Sequence, residues 1–140
     1  MKYWFAVAVM AGSATTFGAH AAPEQSLSAL SSIEPGYWEL RSRGDSNENR
    51  SMCVTDPNVL LKLRHSGATC SRFVIYNDQR MATVQYICAN AGNGRTTVRV
   101  ETPRLVQIES QGTVNREPFS IQLEGRRIGG CGAAKTGFRR

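Results

Sequence analysis

The chain has 140 residues and a formal net charge of +6 at pH 7, and 41% of its residues are hydrophobic. A chain of this length suits one domain and not two. Its arginines are scattered along the sequence, and only Arg126-Arg127 and the end of the chain form clusters. Scattered cations are typical of a solvated surface, so we expect no specific nucleic-acid binding.

The first 21 residues have the composition of an export signal. Lys2 supplies a positive charge, residues 3–12 are apolar, and residues 19–21 (Ala-His-Ala) have the small-x-small form that precedes a signal-peptidase cut. The apolar run is shorter than the roughly 20 residues that a transmembrane helix needs, so a cleaved signal is favoured over a membrane anchor. No cysteine follows this run closely, which argues against a lipoprotein. We therefore expect residues 1–21 to be a signal peptide and the mature protein to be periplasmic or secreted.

The rest of the chain divides into three segments. Residues 22–34 are small and polar, which predicts a flexible N-terminal arm or a short helix. Residues 35–131 have the pattern of a single β domain. Residues 132–140 are small and basic, which predicts a mobile C-terminal tail.

The sequence of the first half of the β domain predicts two strands and a helix. Apolar and polar residues alternate from Trp38 onwards, which predicts a strand, and residues 50–55 resume this pattern after a turn-rich loop. Asp56 and Pro57 then predict the start of a short helix, with Asp as N-cap and Pro at the first helical position. This helix is expected to end near Ser66.

The second half of the domain predicts an antiparallel meander. Turn residues separate five short strand patterns, at residues 71–77, 80–89, 95–102, 104–112 and 119–128. Short strands at regular spacing are typical of all-β folds. The predicted fold is therefore mainly β, a curved sheet or a partly open barrel with one short helix.

A consistent strand register gathers the apolar residues of this meander on one face. The predicted opposed pairs are Cys70–Cys88, Val74–Val84 and Tyr76–Ala82, then Val84–Val100 and Tyr86–Val98, then Val98–Ile108 and Val100–Val106. Opposed side chains share a face and successive ones alternate, so the predicted core is Val74, Val84, Tyr86, Val98, Val100, Val106 and Ile108, extended by Phe119, Ile121 and Leu123. Arg72 falls on the same face near the edge. Its guanidinium must reach past the rim or pair inside, or else the register is wrong.

Four cysteines lie downstream of the predicted signal, and an even count behind such a signal predicts two disulfides. The register places Cys70 opposite Cys88, within bridging distance, and this leaves Cys53 to pair with Cys131. A metal site is the alternative, but the spacings lack the paired CxxC of zinc ribbons. We therefore predict the bridges Cys70–Cys88 and Cys53–Cys131 and no metal site.

Both ends of the β domain resemble a known family. Residues 35–39 (PGYWE) and residues 125–131 (GRRIGGC) resemble the opening and closing motifs of the small exported bacterial proteins grouped as the domain of unknown function 3617 family. The order of Cys53, Cys70 and Cys88 is also similar to that of the family. The resemblance covers about residues 35 to 131.

Two positions depart from the family pattern. Tyr37 stands where Leu is usual, and Gly130 stands where Asp is usual. The second change removes an acidic group that could have served as a site residue. The resemblance implies a compact, mainly β, disulfide-linked envelope protein, and it implies no catalytic residue.

Signatures of catalysis are weak in this sequence. His65 is the only histidine after the predicted signal, and it lies at the end of the predicted helix, where imidazole favours the helix dipole. A His-activated nucleophile is not apparent, because the cysteines are expected to be oxidised and no GxSxG occurs. Glu101, Glu109 and Glu124 alternate with the apolar face and should meet solvent. We assign no catalytic residue and no cofactor.

A second group of apolar residues falls on the opposite face of the predicted sheet, namely Phe73, Ile75, Met81, Ile87 and Leu105. Either the N-terminal strands and the helix cover these side chains, or they line an apolar pocket like that of a lipocalin. Trp38 either packs at the edge of the core or offers its aromatic ring as a binding surface for a sugar or a lipid. The candidate ligand-binding residues are therefore Trp38, Phe73, Ile87 and Leu105.

These features predict a non-enzymatic exported β domain that binds an amphiphilic envelope ligand, such as a lipid, or an envelope protein. A small envelope inhibitor or interaction module is one alternative. A small hydrolase that uses a pair of acidic residues, as glycosidases do, is the other.

Overall fold

The computed structural model describes residues 12–14, 17–19, 24–44 and 47–132. The β domain predicted over residues 35–131 therefore lies almost wholly within the described part of the chain. The predicted signal peptide and the predicted basic tail lie outside the described residues, apart from residues 12–14, 17–19 and 132.

The described domain is mainly β, as predicted. Its elements in chain order are helix α1 (Ser28–Ser31) and strands β1 (Gly36–Ser42), β2 (Arg50–Val54), β3 (Cys70–Asn77), β4 (Met81–Cys88), β5 (Gly92–Thr102), β6 (Leu105–Val114) and β7 (Glu117–Gly129). Two 3-10 helices, Pro57–Leu61 and Leu63–His65, lie between β2 and β3. We call residues 57–65 the 3-10 segment.

All seven strands form one antiparallel sheet with the order β2-β1-β7-β6-β5-β4-β3. Strands β3 to β7 make the predicted meander, and β1 returns to pair with β7. Strands β2 and β3 lie at opposite edges, so the sheet is open. Of the two predicted architectures, the open sheet is confirmed and the barrel is not formed.

The register between β3 and β4 is confirmed at its start and wrong at its end. Cys70 lies opposite Cys88, but the pairing shifts at Ile75, so that Tyr76 lies opposite Thr83, one position along β4 from the predicted residue. A β-bulge adds one residue to one strand of a pair, and hairpin arithmetic alone does not reveal it.

The register between β4 and β5 differs from the prediction by four residues. Tyr86 lies opposite Gly94 rather than opposite Val98. The prediction assigned residues 90–94 to a loop, but the turn is tighter and β5 already begins at residue 92. Asn90 has φ 60° and Gly92 has φ 113°, conformations that these residue types tolerate and that close the short turn. Because the shift is even, every side chain keeps its predicted face.

The predicted apolar face is the core, and we call it the inner face. Its buried residues are Val84, Tyr86, Val98, Val100, Val106, Ile108, Ile121 and Leu123, and Val74 and Phe119 pack against them partly buried. The register between β5 and β6 that aligns four of them is as predicted. Residues around α1 and in the 3-10 segment complete the core with Leu27, Ala29, Leu30, Ile33, Leu60, Leu61 and Leu63. Residues 27–33, for which the sequence predicted a flexible arm or a short helix, contain helix α1 and add four buried side chains.

The predicted helix after β2 is present as the 3-10 segment. Asp56 accepts a hydrogen bond from Asn58 N at 3.0 Å, and Pro57 occupies the first helical position, so the predicted start is confirmed. Lys62 has φ −135° and ψ 46°, which interrupts the helix after one turn. Such short i-to-i+3 turns are the usual form of 3-10 helices.

Candidate functional site

Trp38 lies in the core rather than at a binding surface. Its side chain is fully buried, and its indole Nε1 donates a hydrogen bond to Glu34 O at 3.0 Å. A buried indole whose N–H has a partner fills the core and leaves no ring face for a ligand.

The other three candidate residues, Phe73, Ile87 and Leu105, lie on the outer face, opposite the core. Ile87 pairs with Ser71, two residues before Phe73 on β3, so these two side chains are diagonal neighbours on adjacent strands. Leu105 belongs to β6, which lies three strands away from β3. It is the first residue of β6 and pairs with Thr102 on β5 and with Arg126 on β7. The structure brings Phe73 and Ile87 together and leaves Leu105 apart.

An exposed apolar patch surrounds Phe73. Six large hydrophobic side chains are exposed in the described part of the chain, and four of them lie on β3 and β4. They are Phe73 at 57%, Ile75 at 45%, Tyr76 at 45% and Ile87 at 51% exposure, and we call these four residues the β3 patch. Scattered surface hydrophobes are ordinary, but a cluster of them marks an interaction site.

The β3 patch lies at an edge whose main chain is unpaired. Within the described residues, β3 has β4 on one side and no strand on the other. Hydrogen bonds from residues 24–28 to β3 use the side chains of Arg72 and Asn77, so they leave the main-chain groups of the edge free. An edge of this kind is a template for another strand.

His65 has a structural role that the sequence analysis did not identify. It lies at the end of the 3-10 segment and is buried, with 3% exposure. Its Nε2 lies 3.0 Å from Ala91 O and 2.9 Å from Thr113 O, and its Nδ1 lies 2.9 Å from the Tyr86 hydroxyl. Two carbonyl neighbours require a hydrogen on Nε2, which leaves Nδ1 to pair with the Tyr86 hydroxyl. His65 thereby fastens the 3-10 segment to the sheet.

A second set of buried hydroxyls lies beside this histidine. Thr96 Oγ1 donates to Leu61 O and lies 2.7 Å from Ser110 Oγ, and both side chains are buried. Burial raises the pKa of Tyr86 above its ordinary value of 10, so its hydroxyl stays neutral and can donate. Gly94 makes room for this ring, because a Cβ there would lie 2.3 Å from the Tyr86 oxygen. The network is a structural one, since its polar groups satisfy one another.

Arg72 lies on the inner face, as the predicted register requires, and it pairs inside the protein. Its Nη1 donates to Asn58 Oδ1 at 2.9 Å, its Nη2 donates to Gln25 O, and its Nε lies 3.0 Å from a carboxylate oxygen of Glu24. Of the three explanations that the sequence left open for this residue, the internal pairing is the one found.

Most carboxylates of the described residues are engaged with cations, hydroxyls or backbone amides, whereas Glu109 and Glu117 are exposed to solvent. The predicted outer-face acid Glu101 forms an ion pair with Arg99. Glu124 forms an ion pair with Arg126 and accepts from Gln107, and these bonds hold its pKa below the ordinary range. The pKa values of Glu34, Asp56 and Asp78 are also lowered, by hydrogen bonds from neighbouring groups. A general acid needs the opposite shift.

The four cysteines form the two predicted bridges, Cys53–Cys131 and Cys70–Cys88. The first joins edge strand β2 to the residues just after β7, and the second joins edge strand β3 to β4. Within the described residues no cysteine is free, and no group of three or more His, Cys, Asp or Glu side chains could hold a metal ion. The part of the chain that the structure describes also contains no helix long and apolar enough to cross a membrane.

Comparison with known proteins supports the resemblance seen at the two ends of the domain. The family model described as a protein of unknown function (DUF3617) matches residues 33–131. No curated protein and no solved structure matches the chain. The match covers well over half of the sequence, from the residue before Glu34 to the last cysteine, and so the chain belongs to the DUF3617 family.

Proposed function

We propose that this protein is a non-enzymatic interaction module of the bacterial envelope, which binds an extended segment of another protein along edge strand β3. The observation that carries the proposal is the coincidence of the unpaired β3 edge with the β3 patch. Free main-chain groups bind an added strand, and neighbouring side-chain contacts select which strand binds, as in β-strand addition.

The sequence of β3 supports this use of the edge. Natural sheets protect free edges with lysine, proline or charged side chains, and β3 has no lysine or proline. Its one charged residue, Arg72, is occupied on the inner face. The bulge at Ile75 limits regular pairing to Cys70–Val74, which implies a short partner segment of about five residues.

Charge favours a different protein over a second copy of this chain. The formal charge is +6, and it is +5 after loss of Lys2 with the predicted signal peptide, so two copies repel each other. Arg95 on the outer face lies in line with Phe73 through Gln85, and no carboxylate pairs with it among the described residues. The expected partner segment is therefore apolar, extended and flanked by acidic residues.

Location in the envelope is part of the proposal. Two disulfides are consistent with an exported protein, because such bridges persist in oxidising compartments. The signal-like residues 1–21 support export to the periplasm or beyond.

The proposal is tested by photo-crosslinking in the native envelope. The full chain is produced with p-benzoylphenylalanine in place of Ile75 on β3, and in a matched control in place of Ser51, an exposed position on edge strand β2. We expect a specific adduct from position 75 and none from position 51, with the partner peptide identified by mass spectrometry. Phe73→Ser should reduce the adduct at least fivefold. The same substitution should lower the free energy of unfolding by less than about 1 kcal/mol, because more than half of the ring is already in solvent.

Three outcomes would contradict the proposal. Equal adducts from positions 75 and 51 would mean that the edges do not differ. An adduct between two copies of this chain would assign the edge to self-association. A partner peptide that is charged throughout would show that the β3 patch does not select it.

A further inference from the structure

Arg72 is unusually buried for a charged side chain. Its side chain is 11% exposed, whereas the other arginines in ion pairs within the described residues are at least 30% exposed. A buried guanidinium is costly unless its donors are satisfied. The acceptors of its N–H groups therefore decide whether the burial of this cation is compensated.

The guanidinium of Arg72 is only partly satisfied. Asn58 and the carbonyl of Gln25 accept from its two terminal nitrogens. Its Nε is buried and has no hydrogen-bond acceptor among the described residues, although Glu24 Oε1 lies 3.0 Å away. The contact with Glu24 is therefore an ion pair, but the N–H bond of Nε does not point at the Glu24 oxygen as a hydrogen bond requires. The Glu24 side chain itself is 68% exposed.

Arg72 forms one wall of a cleft that has room for a ligand. The cleft has a volume of about 400 Å³ and lies between the 3-10 segment and strands β3 and β4. The part-exposed Val59 gives it an apolar wall, the core residues Leu61 and Val84 lie behind this wall with at most 3% exposure, and Lys62 and Glu24 lie at its polar side. Ligand sites of small molecules have this size and this mixture of apolar walls and a few fixed polar groups. A second opening of about 480 Å³ continues past Asn58 and Arg72 along residues 24–33.

We propose that this cleft binds an amphiphile with a carboxylate head and an apolar chain, and that Glu24 occupies the place of the head when the cleft is empty. An incoming carboxylate would accept from Arg72 Nε, which Glu24 approaches but does not satisfy. Arginine binds carboxylates through parallel N–H bonds, so a well-placed ligand gains more than the exposed Glu24 does. The apolar chain would lie along Val59, above the buried side chains of Leu61 and Val84. This site is on the inner side of β3 and does not depend on the partner proposed for the edge.

The test uses protein produced from the full chain and purified after export, titrated with decanoate below its critical micelle concentration. Calorimetry and NMR chemical shifts should show one site, with shifts at Asn58, Val59 and Val84. Decanol, which lacks the charge, should bind at least tenfold more weakly. Decyl phosphate tests whether another anionic head is accepted, and we expect it to bind more weakly than decanoate because the site already fits a carboxylate.

Two matched variants separate head recognition from folding. Glu24→Gln removes the internal carboxylate and should bind decanoate at least threefold more tightly. Glu39→Gln removes the carboxylate of an exposed ion pair with Arg41, far from the cleft, and should leave the affinity unchanged. Arg72→Lys keeps the charge but loses the planar fork, and it should bind at least tenfold more weakly.

The proposal is overturned if decanol binds as tightly as decanoate, if Glu24→Gln gains no affinity, or if the shifts fall outside the cleft. Tighter binding of decyl phosphate than of decanoate would overturn the assignment of a carboxylate head. If Arg72→Lys does not fold, Glu24→Gln and the decanol comparison still decide, because neither changes a buried residue.

Discussion

The two edges of the sheet differ in length, in the exposure of their apolar side chains and in what fastens them. Strand β2 has five residues, and its Cys53 is bridged to Cys131. Its Arg50 is held by Glu48 and by Leu63 O. Strand β3 has eight residues, and three of its side chains, Phe73, Ile75 and Tyr76, are large, hydrophobic and exposed.

This difference indicates that one edge is protected and the other is available. Short length, charge and a cover are the devices by which natural sheets prevent edge-to-edge association. Strand β2 is the shorter of the two, and its Arg50 is held by Glu48 and by Leu63 O, whereas β3 is longer and only the bulge at Ile75 limits its pairing. Because an exposed apolar edge is a liability in a protein without a partner for it, its presence favours a role in binding.

The largest expected effect concerns the disulfides that hold the two edges. Cys53–Cys131 spans 78 residues of sequence, and Cys70–Cys88 spans 18. The chain-entropy model predicts a loss of about 4 kcal/mol for Cys53→Ser with Cys131→Ser and about 3 kcal/mol for Cys70→Ser with Cys88→Ser. Urea unfolding of the two double variants measures these values. The reverse order would show that β3, and not β2, is the more strongly fastened edge.

A smaller effect is expected from His65, which holds the connection between the two edges against the middle of the sheet. His65→Ala removes the hydrogen bonds of the ring to the Tyr86 hydroxyl, to Thr113 O and to Ala91 O, of which Ala91 O keeps the Asn115 amide as a donor. Unsatisfied buried groups cost about 1 to 3 kcal/mol, so we expect a loss of about 2 kcal/mol in urea unfolding. Arg64→Ala is the control, because Arg64 is partly exposed and its ion pair with Glu48 should contribute about 1 kcal/mol or less. Equal losses would mean that the His65 network does not anchor the segment.

The smallest effect concerns the pH dependence of the turn that connects β3 to β4. Hydrogen bonds from the Tyr76 hydroxyl and from the amides of Arg80 and Met81 hold the pKa of Asp78 below its ordinary value. A lowered pKa in the folded state means that the stabilisation is present above the unfolded pKa of about 3.9 and is lost as the pH falls through the folded pKa. NMR titration of the Arg80 and Met81 amides should therefore give a midpoint below 3.9, and Asp78→Asn should abolish it. A midpoint at or above 3.9 would show that these bonds do not favour the ionised form.

Hairpin reasoning predicted much of the sheet because its evidence is local. Paired apolar residues determine which side chains share a face, and this gave the core and the pairing Cys70–Cys88. The turn before β5 was misjudged because the φ angles of Asn90 and Gly92 decide its length, and no apolar pattern reports them. Because the predicted register was wrong by four residues, it did not show that Gly94 lies opposite Tyr86, a pairing on which the His65 network depends.

Features that depend on long-range pairing were not predictable from the sequence. The pairing of β1 with β7 joins residues more than 80 positions apart, and it decides that β2 and β3 are the edges. Burial of Arg72 was predicted only as one of three explanations, because its partners Glu24 and Gln25 lie in a segment without periodic pattern. The exposed residues Phe73 and Ile87 could be placed on the outer face, but not at a free edge.

The most direct test of the difference between the edges is hydrogen exchange with a bound strand. A synthetic peptide with the sequence of the segment crosslinked at position 75 is added to the purified protein, and amide exchange is measured by NMR. Strand addition should slow exchange of amides within Cys70–Asn77 and leave those within Arg50–Val54 unchanged. Protection of β2 instead of β3, or binding without protection of either strand, would contradict the account.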